Sequence, residues 1–144
     1  MDCVIVDLDG TLSDCSHRLH YIESGKKNWN AFFENCLEDK VIEPMFNLLK
    51  ILSKHYAIVI LTARPEKNRF LTTKWLQDNN IFYDVLLMRF DNDFSKPPLV
   101  KKKLLNNLIN LGYNPVYSFD DRLDCFEMFR DAGVYSMQIP ENGT

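Results

Sequence analysis

This 144-residue chain has few glycines and few cysteines, and its charges nearly balance. Its four cysteines (Cys3, Cys15, Cys36 and Cys125) stand far apart with no Cys-x-x-Cys pair, so a disulfide framework is not expected. They read as reduced thiols, three of them packing residues, none with an evident base beside it. No basic region precedes the first apolar run, and Asp7 interrupts that run, so neither a signal peptide nor a membrane span is expected. Seventeen basic residues against twenty acidic ones give a net charge of −3. That balance excludes a general attraction for polyanions, and any such contact must be local. No repeat, low-complexity tract or linker divides the chain, and no Gly-x-x-x-x-Gly-Lys-Ser/Thr loop is present. One domain over 1–144 is expected.

Apolar runs alternate with helical patterns, the signature of a parallel sheet with crossover helices. Strands are expected at Cys3 to Leu8, Ala57 to Thr62, Tyr83 to Met88, Val116 to Phe119 and Val134 to Ile139. Helices are expected at Trp29 to Leu37, Pro44 to Lys54, Glu66 to Asp78, Leu99 to Leu111 and Arg122 to Asp131. The fold class is therefore α/β, a Rossmann-like doubly wound parallel sheet of five strands in three layers. Residues 12–42 are too few for a second domain and read as a flap and minimal cap over the carboxyl edge of the sheet.

The first strand ends in Asp7-Leu8-Asp9-Gly10-Thr11, two carboxylates one residue apart before a turn. Open α/β folds place ligands at such strand ends. Three more polar stations follow: Thr62-Ala63-Arg64 after the second strand, the Lys101-Lys102-Lys103 run on a helix, and Asp120-Asp121-Arg122 after another strand. The helix stripe Val100, Leu104, Leu108 places Lys101 at the border of the buried face and Lys103 on a solvent face.

Carboxylates, a hydroxyl and a lysine at one rim suit phosphate and metal together. Phosphate-monoester cleavage requires acceleration of up to about 10²¹, and a nucleophile that divides the path helps. Asp7 is the expected nucleophile, Asp9 the general acid and base, Thr62 a donor to phosphoryl oxygens and Lys101 a fixed positive charge. Mg²⁺ is the expected cofactor, with Asp7, Asp9, Asp120 and Asp121 as its expected ligand set. A phospho-accepting signalling domain is a rival reading, but such domains place the acidic doublet after the first strand.

DLDGT, the LT of LTAR, Lys101 and FDD together resemble the four motifs of the haloacid dehalogenase-like superfamily. Over nearly the whole chain, LTARPEKNRFLTTKWL, YDVLLMR, LVKKKLL and FDDR resemble the 3′-phosphatase domain of phage polynucleotide kinase-phosphatases. The resemblance implies Mg²⁺-dependent removal of 3′-phosphates from nucleic-acid ends, with a nucleotidase as the alternative. It implies that Arg18 in the flap and Arg64 serve activity, with Thr62 and Ala63 beside them in holding substrate. It also implies a cytoplasmic setting, that of a host cell if the chain is phage-encoded, and no obligate protein partner is evident. Two departures stand out. The kinase element is missing, so a stand-alone phosphatase is expected, and Lys96-Pro97-Pro98 occupies the place of acids that would orient the lysine.

The other residues carry plainer expectations. Trp29 and Phe32 are expected to pack the flap, with base stacking as the alternative. His17 and His20 read as surface residues. Lys67, Arg69 and Lys74 steer a phosphodiester backbone or face water, and Arg89 is a plausible substrate contact.

Overall fold

A computed structural model describes residues 1–23 and 25–140. The chain runs β1 (Asp2–Val6), β2 (Ser13–Asp14), α1 (His20–Glu23), α2 (Trp29–Glu34), β3 (Lys40–Val41), α3 (Glu43–Leu52), β4 (Ala57–Pro65), α4 (Arg69–Asp78), β5 (Val85–Arg89), α5 (Pro97–Asn110), β6 (Asn114–Asp120), α6 (Leu123–Asp131) and β7 (Tyr135–Gln138). Five strands form one parallel sheet in the order β5-β4-β1-β6-β7. The chain winds outward from β1 through β4 to β5, then returns to build β6 and β7 on the other side. The strand order thus reverses beside β1, where such folds open a crevice at the carboxyl ends.

Strand alternation supplies both cores. Val4, Val6, Ile58 and Ile60 point to one face and meet Met45 and Leu49 of α3 and Trp75 and Leu76 of α4. Cys3, Ile5, Val59 and Leu61 point to the other and meet Val100, Leu104, Leu105 and Leu108 of α5 and Phe129 of α6. Covering both faces is what lets β1 and β4 be apolar without alternation. Cys3, Cys36 and Cys125 are buried and Cys15 is half-buried, all free. Burial pushes the Cys15 and Cys125 thiols up to about 12, which leaves them protonated and unreactive at neutral pH.

The five expected strands and five expected helices are present, with shifted ends. Three local features depart from expectation. The helix expected from Trp29 to Leu37 divides into α2 and a 3₁₀ turn at Cys36–Glu38. Between them, Asn35 donates its side-chain amide to the Ala31 carbonyl at 2.7 Å, taking a partner the helix would otherwise use. The helix expected from Glu66 begins as a 3₁₀ turn, Glu66–Asn68, before α4. A short antiparallel pair, β2 with β3, ties Ser13-Asp14 to Lys40-Val41. Two-residue strands carry no periodic signal, so this clasp at the base of the flap leaves no trace in the sequence pattern. No helix among the described residues is long and apolar enough to cross a membrane.

Candidate active site

The three central strands β4, β1 and β6 end side by side, and their carboxyl termini carry Thr62, Asp7 and Asp120. The Asp7 amide donates to the Phe119 carbonyl at 3.1 Å, which fixes the exit of β1 against β6. Beyond Asp7 the chain curls tightly: the amides of Thr11, Leu12 and Ser13 all reach the Leu8 carbonyl at 2.9–3.0 Å. Gly10 makes this turn possible at φ +86°, a backbone region that disfavours side chains. A Cβ at this position would also lie 2.2 Å from Asp121 Oδ2, so the turn and the second acid of FDD are packed against each other. Gly10→Ala should cost about 1–2 kcal/mol for the backbone alone and push Asp121 aside. Thermal melting beside the wild type measures it.

Two buried charge clusters occupy the rim. In the first, Asp7, Asp120 and Asp121 offer carboxylate oxygens within 4.8 Å of one another. Lys101 reaches in from α5, with Nζ 3.0 Å from Asp7 Oδ1 and 2.5 Å from Asp120 Oδ2. It is 2% exposed, whereas Lys102 and Lys103 face solvent. Burial, and then the charge of Asp120, hold the Asp7 carboxyl well above the usual carboxylate range. Burial raises Asp121 as well. Three carboxylates with one ammonium leave an excess of negative charge in a nearly dry site. The donors are all hard oxygens, a set suited to a small divalent cation.

In the second cluster the Asp9 carboxylate turns away from those acids and is held by two arginines. Arg18 Nη2 lies 2.5 Å and Arg64 Nη2 2.6 Å from Asp9 Oδ1. Burial alone would raise the Asp9 carboxyl, but Arg64 and Arg18 outweigh it and hold that group far below the usual range. Among the described residues the carboxylate group that could hold a metal therefore contains Asp7, Asp120 and Asp121, and the side chain of Asp9 stands outside it. Asp9, expected in the ligand set, has its carboxylate claimed by the guanidinium pair.

Arg18, in the flap, is fully buried. Its Nε and Nη2 donate to Asp39 at 2.9 and 2.5 Å, its Nη1 to the Phe32 carbonyl at 3.1 Å, and its guanidinium carbon lies 4.4 Å from the Phe32 ring centroid. Arg64 is equally buried and donates to Thr72 Oγ1 at 3.2 Å. Its position follows from a register shift of β4 against β5 between Thr62 and Pro65, an irregularity of the kind that re-aims side chains near sites. The Arg64 amide donates to Thr62 Oγ1 at 3.1 Å, which brings the threonine hydroxyl to the same corner. Ala63 is half-buried there, its carbonyl accepting from Arg89 Nε at 2.8 Å.

Asp39 is a residue that no sequence motif singles out. Within Glu38-Asp39-Lys40 it reads as part of a solvated charge run. In the fold it is 5% exposed. It accepts two bonds from Arg18 and lies 2.7 Å from His17 Nε2, while its backbone carbonyl accepts from the Trp75 indole at 2.8 Å. Asp39→Asn should destabilise the domain by about 1.5–3 kcal/mol, the worth of a hydrogen bond to a charged group, as read from a urea titration.

Arg89, expected as a substrate contact, has its guanidinium engaged with backbone carbonyls. It donates to the carbonyls of Ala63, Asp93 and Ser95 and so shapes the turn after β5. Lys101 has no need of acids before Val100, because Asp7 and Asp120 orient it from the sheet. Pro97 and Pro98 instead start α5 in its first turn, where a missing amide hydrogen costs little.

A family model described as the polynucleotide kinase PNKP phosphatase domain matches residues 1–143. The chain belongs to this family. It is thus a haloacid dehalogenase-like phosphatase domain. A protein of Autographa californica nuclear polyhedrosis virus, named as a bifunctional polynucleotide kinase/RNA ligase, is 29% identical in an alignment of 137 residues that covers 91% of this chain and 18% of the viral protein. A chain in the Pnkp1/Rnl/Hen1 complex is 30% identical with a TM-score of 0.83, covering 97% of this chain and 45% of that one. The family domain therefore spans less than half of these relatives. A HAD-hydrolase of Bacillus subtilis, YfnB, solved with magnesium, shares the fold at a TM-score of 0.71 and 13% identity, over 96% of this chain and 86% of that one.

Proposed function

We propose that this phosphatase domain removes 3′-phosphates from nucleic-acid ends by way of an aspartyl-phosphate on Asp7. The observation that carries the reading is the pairing of the two clusters: a carboxylate among acids and a lysine, beside a second carboxylate held by two arginines. Asp7, Asp120 and Asp121 would hold Mg²⁺, the ion with which the Bacillus relative was solved. When bound, the ion supplies positive charge that screens an anionic nucleophile from an anionic phosphoryl group.

An oxygen of Asp7 attacks phosphorus, and the bond from phosphorus to the 3′-oxygen breaks. Asp9 gives its proton to that departing oxygen. Asp9 then takes a proton from water, whose oxygen attacks the aspartyl-phosphate and frees inorganic phosphate and the Asp7 carboxylate. Lys101 keeps Asp7 and Asp120 in place throughout and offsets their charge. Asp9 must acquire a proton before the first step, and its carboxyl is held low by Arg64 and Arg18. A phosphate that draws on those guanidiniums weakens their hold on Asp9 and raises its proton affinity when the proton is needed.

The test compares a 3′-phosphorylated oligonucleotide, a nucleoside 3′-monophosphate and p-nitrophenyl phosphate, each with and without Mg²⁺. The reading expects Mg²⁺-dependent release from all three, with the highest kcat/KM on the oligonucleotide. A higher kcat/KM on the mononucleotide would replace the polymer end with a nucleotide, and turnover undiminished by chelation would remove the metal.

The raised Asp7 carboxyl gives the metal-free protein a pH signature. A group whose folded-state pKa exceeds its unfolded value, about 3.9 for Asp, stabilises the fold fully below that value. It loses the contribution as pH rises through the folded pKa. The metal-free domain should therefore melt at a higher temperature at pH 5 than at pH 8. Mg²⁺ should reverse that order, because the metal takes deprotonated ligands. Calorimetry at the two pH values, with and without Mg²⁺, checks both signs.

A further inference from the structure

The flap carries a surface that the two charge clusters do not use. A cleft of about 580 Å³ is lined by Lys26, Lys27, Asn28, Trp29 and Asn30. Trp29 is 47% exposed, while its neighbour Phe32 is buried. Lys27 Nζ sits 5.8 Å from the centre of the Trp29 ring. Lys67, three residues beyond Arg64, reaches across from the end of β4 and donates to Asn30 Oδ1 at 2.7 Å. Asn28 Oδ1 accepts from the Ala31 amide, capping α2. Both carboxamide oxygens are thus taken, and among the described residues neither amide nitrogen has a partner.

The cleft adjoins the reactive corner through aromatic contacts. Trp29 meets Phe32 edge-on with ring centroids 5.8 Å apart, and Phe32 lies under the Arg18 guanidinium that grips Asp9. A half-exposed indole, backed by the near-parallel Phe33 ring at 5.9 Å, forms with the ammonium groups and free amide donors a combination that suits a base and the phosphodiester beside it. The chain as a whole is acidic, at −3, so three lysines beside an exposed tryptophan are a local exception. A half-exposed tryptophan also differs from a packing residue, which would place its ring in the core as Trp75 does.

We infer that this cleft is a single-stranded nucleic-acid subsite, in which Trp29 stacks on a base and Lys26, Lys27 and Lys67 contact phosphates upstream of the terminal nucleotide. The inference rests on the phosphatase reading for its biological meaning, but its binding chemistry is independent of turnover. It supplies a reason for a polymer end to be preferred over a mononucleotide, which has no neighbouring base or phosphodiester to offer.

The probe is hexathymidylate without a terminal phosphate, so that binding is measured apart from catalysis. Wild-type protein should bind it with quenching of tryptophan fluorescence. Trp29→Ala should weaken binding about ten-fold, the scale of one base–aromatic stack, and Trp29→Phe should restore most of it. Replacing Lys26 and Lys27 together with alanine should lessen the slope of log affinity on log salt by about 1.4, two single-strand contacts at about 0.7 each. In turnover, Trp29→Ala should lower kcat/KM for a 3′-phosphorylated hexamer about ten-fold relative to that for p-nitrophenyl phosphate. Equal hexathymidylate affinity in wild type and Trp29→Ala would overturn the subsite, as would equal competition by a polyglutamate peptide of the same charge. Absent turnover of every phosphate ester, with Trp29-dependent binding intact, would overturn the phosphatase reading and leave the subsite standing.

Discussion

Asp7→Asn should lower phosphate release to below about one-thousandth of the wild-type rate with any substrate, since it removes the atom that accepts the phosphoryl group. The same substitution should leave the metal-free protein at least as stable as the wild type. The Asp7 carboxyl is raised by burial and by Asp120, so the charged form is disfavoured in the fold, and a neutral isostere relieves that repulsion. The Thr11 hydroxyl, 3.4 Å from Asp7 Oδ2, can still donate to the asparagine carbonyl. Two further signs should accompany the loss: the rise in melting temperature on adding Mg²⁺ should shrink, and the difference between pH 5 and pH 8 in the metal-free protein should flatten. Turnover near the wild-type rate would refute the covalent path whatever the stability. This combination of dead catalysis and a sound fold separates a reacting carboxylate from one that only supports structure.

Lys101→Met should destabilise the metal-free domain by about 3–5 kcal/mol, because it leaves buried carboxylates without their cation. For a domain of this size that is a fall of roughly 10 °C in melting temperature. The methionine fills much of the lysine stem's volume, so the loss reports charge more than packing. The pH dependence gives the sign. Without the ammonium, the Asp7 carboxyl, already raised by burial, rises further, and the stability its protonated form contributes is lost as pH increases. The gap between variant and wild type should therefore widen from pH 5 to pH 8, and Mg²⁺ should narrow it by supplying the missing positive charge. A gap independent of both pH and Mg²⁺ would mean that Lys101 acts by packing alone. Turnover should fall as well, since Lys101 orients Asp7 at 3.0 Å.

Most of the sheet was legible because burial on both faces forces a readable pattern. Cys3 to Val6 and Ala57 to Leu61 are uninterrupted apolar runs, and only a central parallel strand needs such a run. The helices were legible for the complementary reason, since Val100, Leu104 and Leu108 repeat at the spacing of one helix face. Lys101 could be separated from Lys102 and Lys103 by that same period. The flap was less legible. Its helices are one or two turns long, and an element of that length repeats no pattern often enough to be recognised.

The arginine cluster shows the limit of motif reading. Arg18, Asp39 and Arg64 are separated by more than twenty residues in each case, and while the family resemblance points to the two arginines, Asp39 has an ordinary surface reading where it stands. Asp39 is functional in appearance only after β3 pairs with β2 and the 3₁₀ turn at Cys36–Glu38 swings it under Arg18. Asp9 shows a subtler limit. Its spacing from Asp7 made both carboxylates equal candidates for a metal, and the direction of the turn at Gly10 separated them. Trp29 and Phe32 divided in the same way, one left half in solvent and the other placed beneath a guanidinium.

The sequence by itself determined the layered α/β architecture and the order of the acids, hydroxyl and lysine, because these depend on local periodicity and on short spacings along the chain. The tertiary structure alone decided which acids share a site, that Asp9 answers to two arginines, and that Asp39 holds one of them. Those facts depend on which distant segments the fold brings within bonding distance, and electrostatics in a dry site acts through space without regard to separation along the chain.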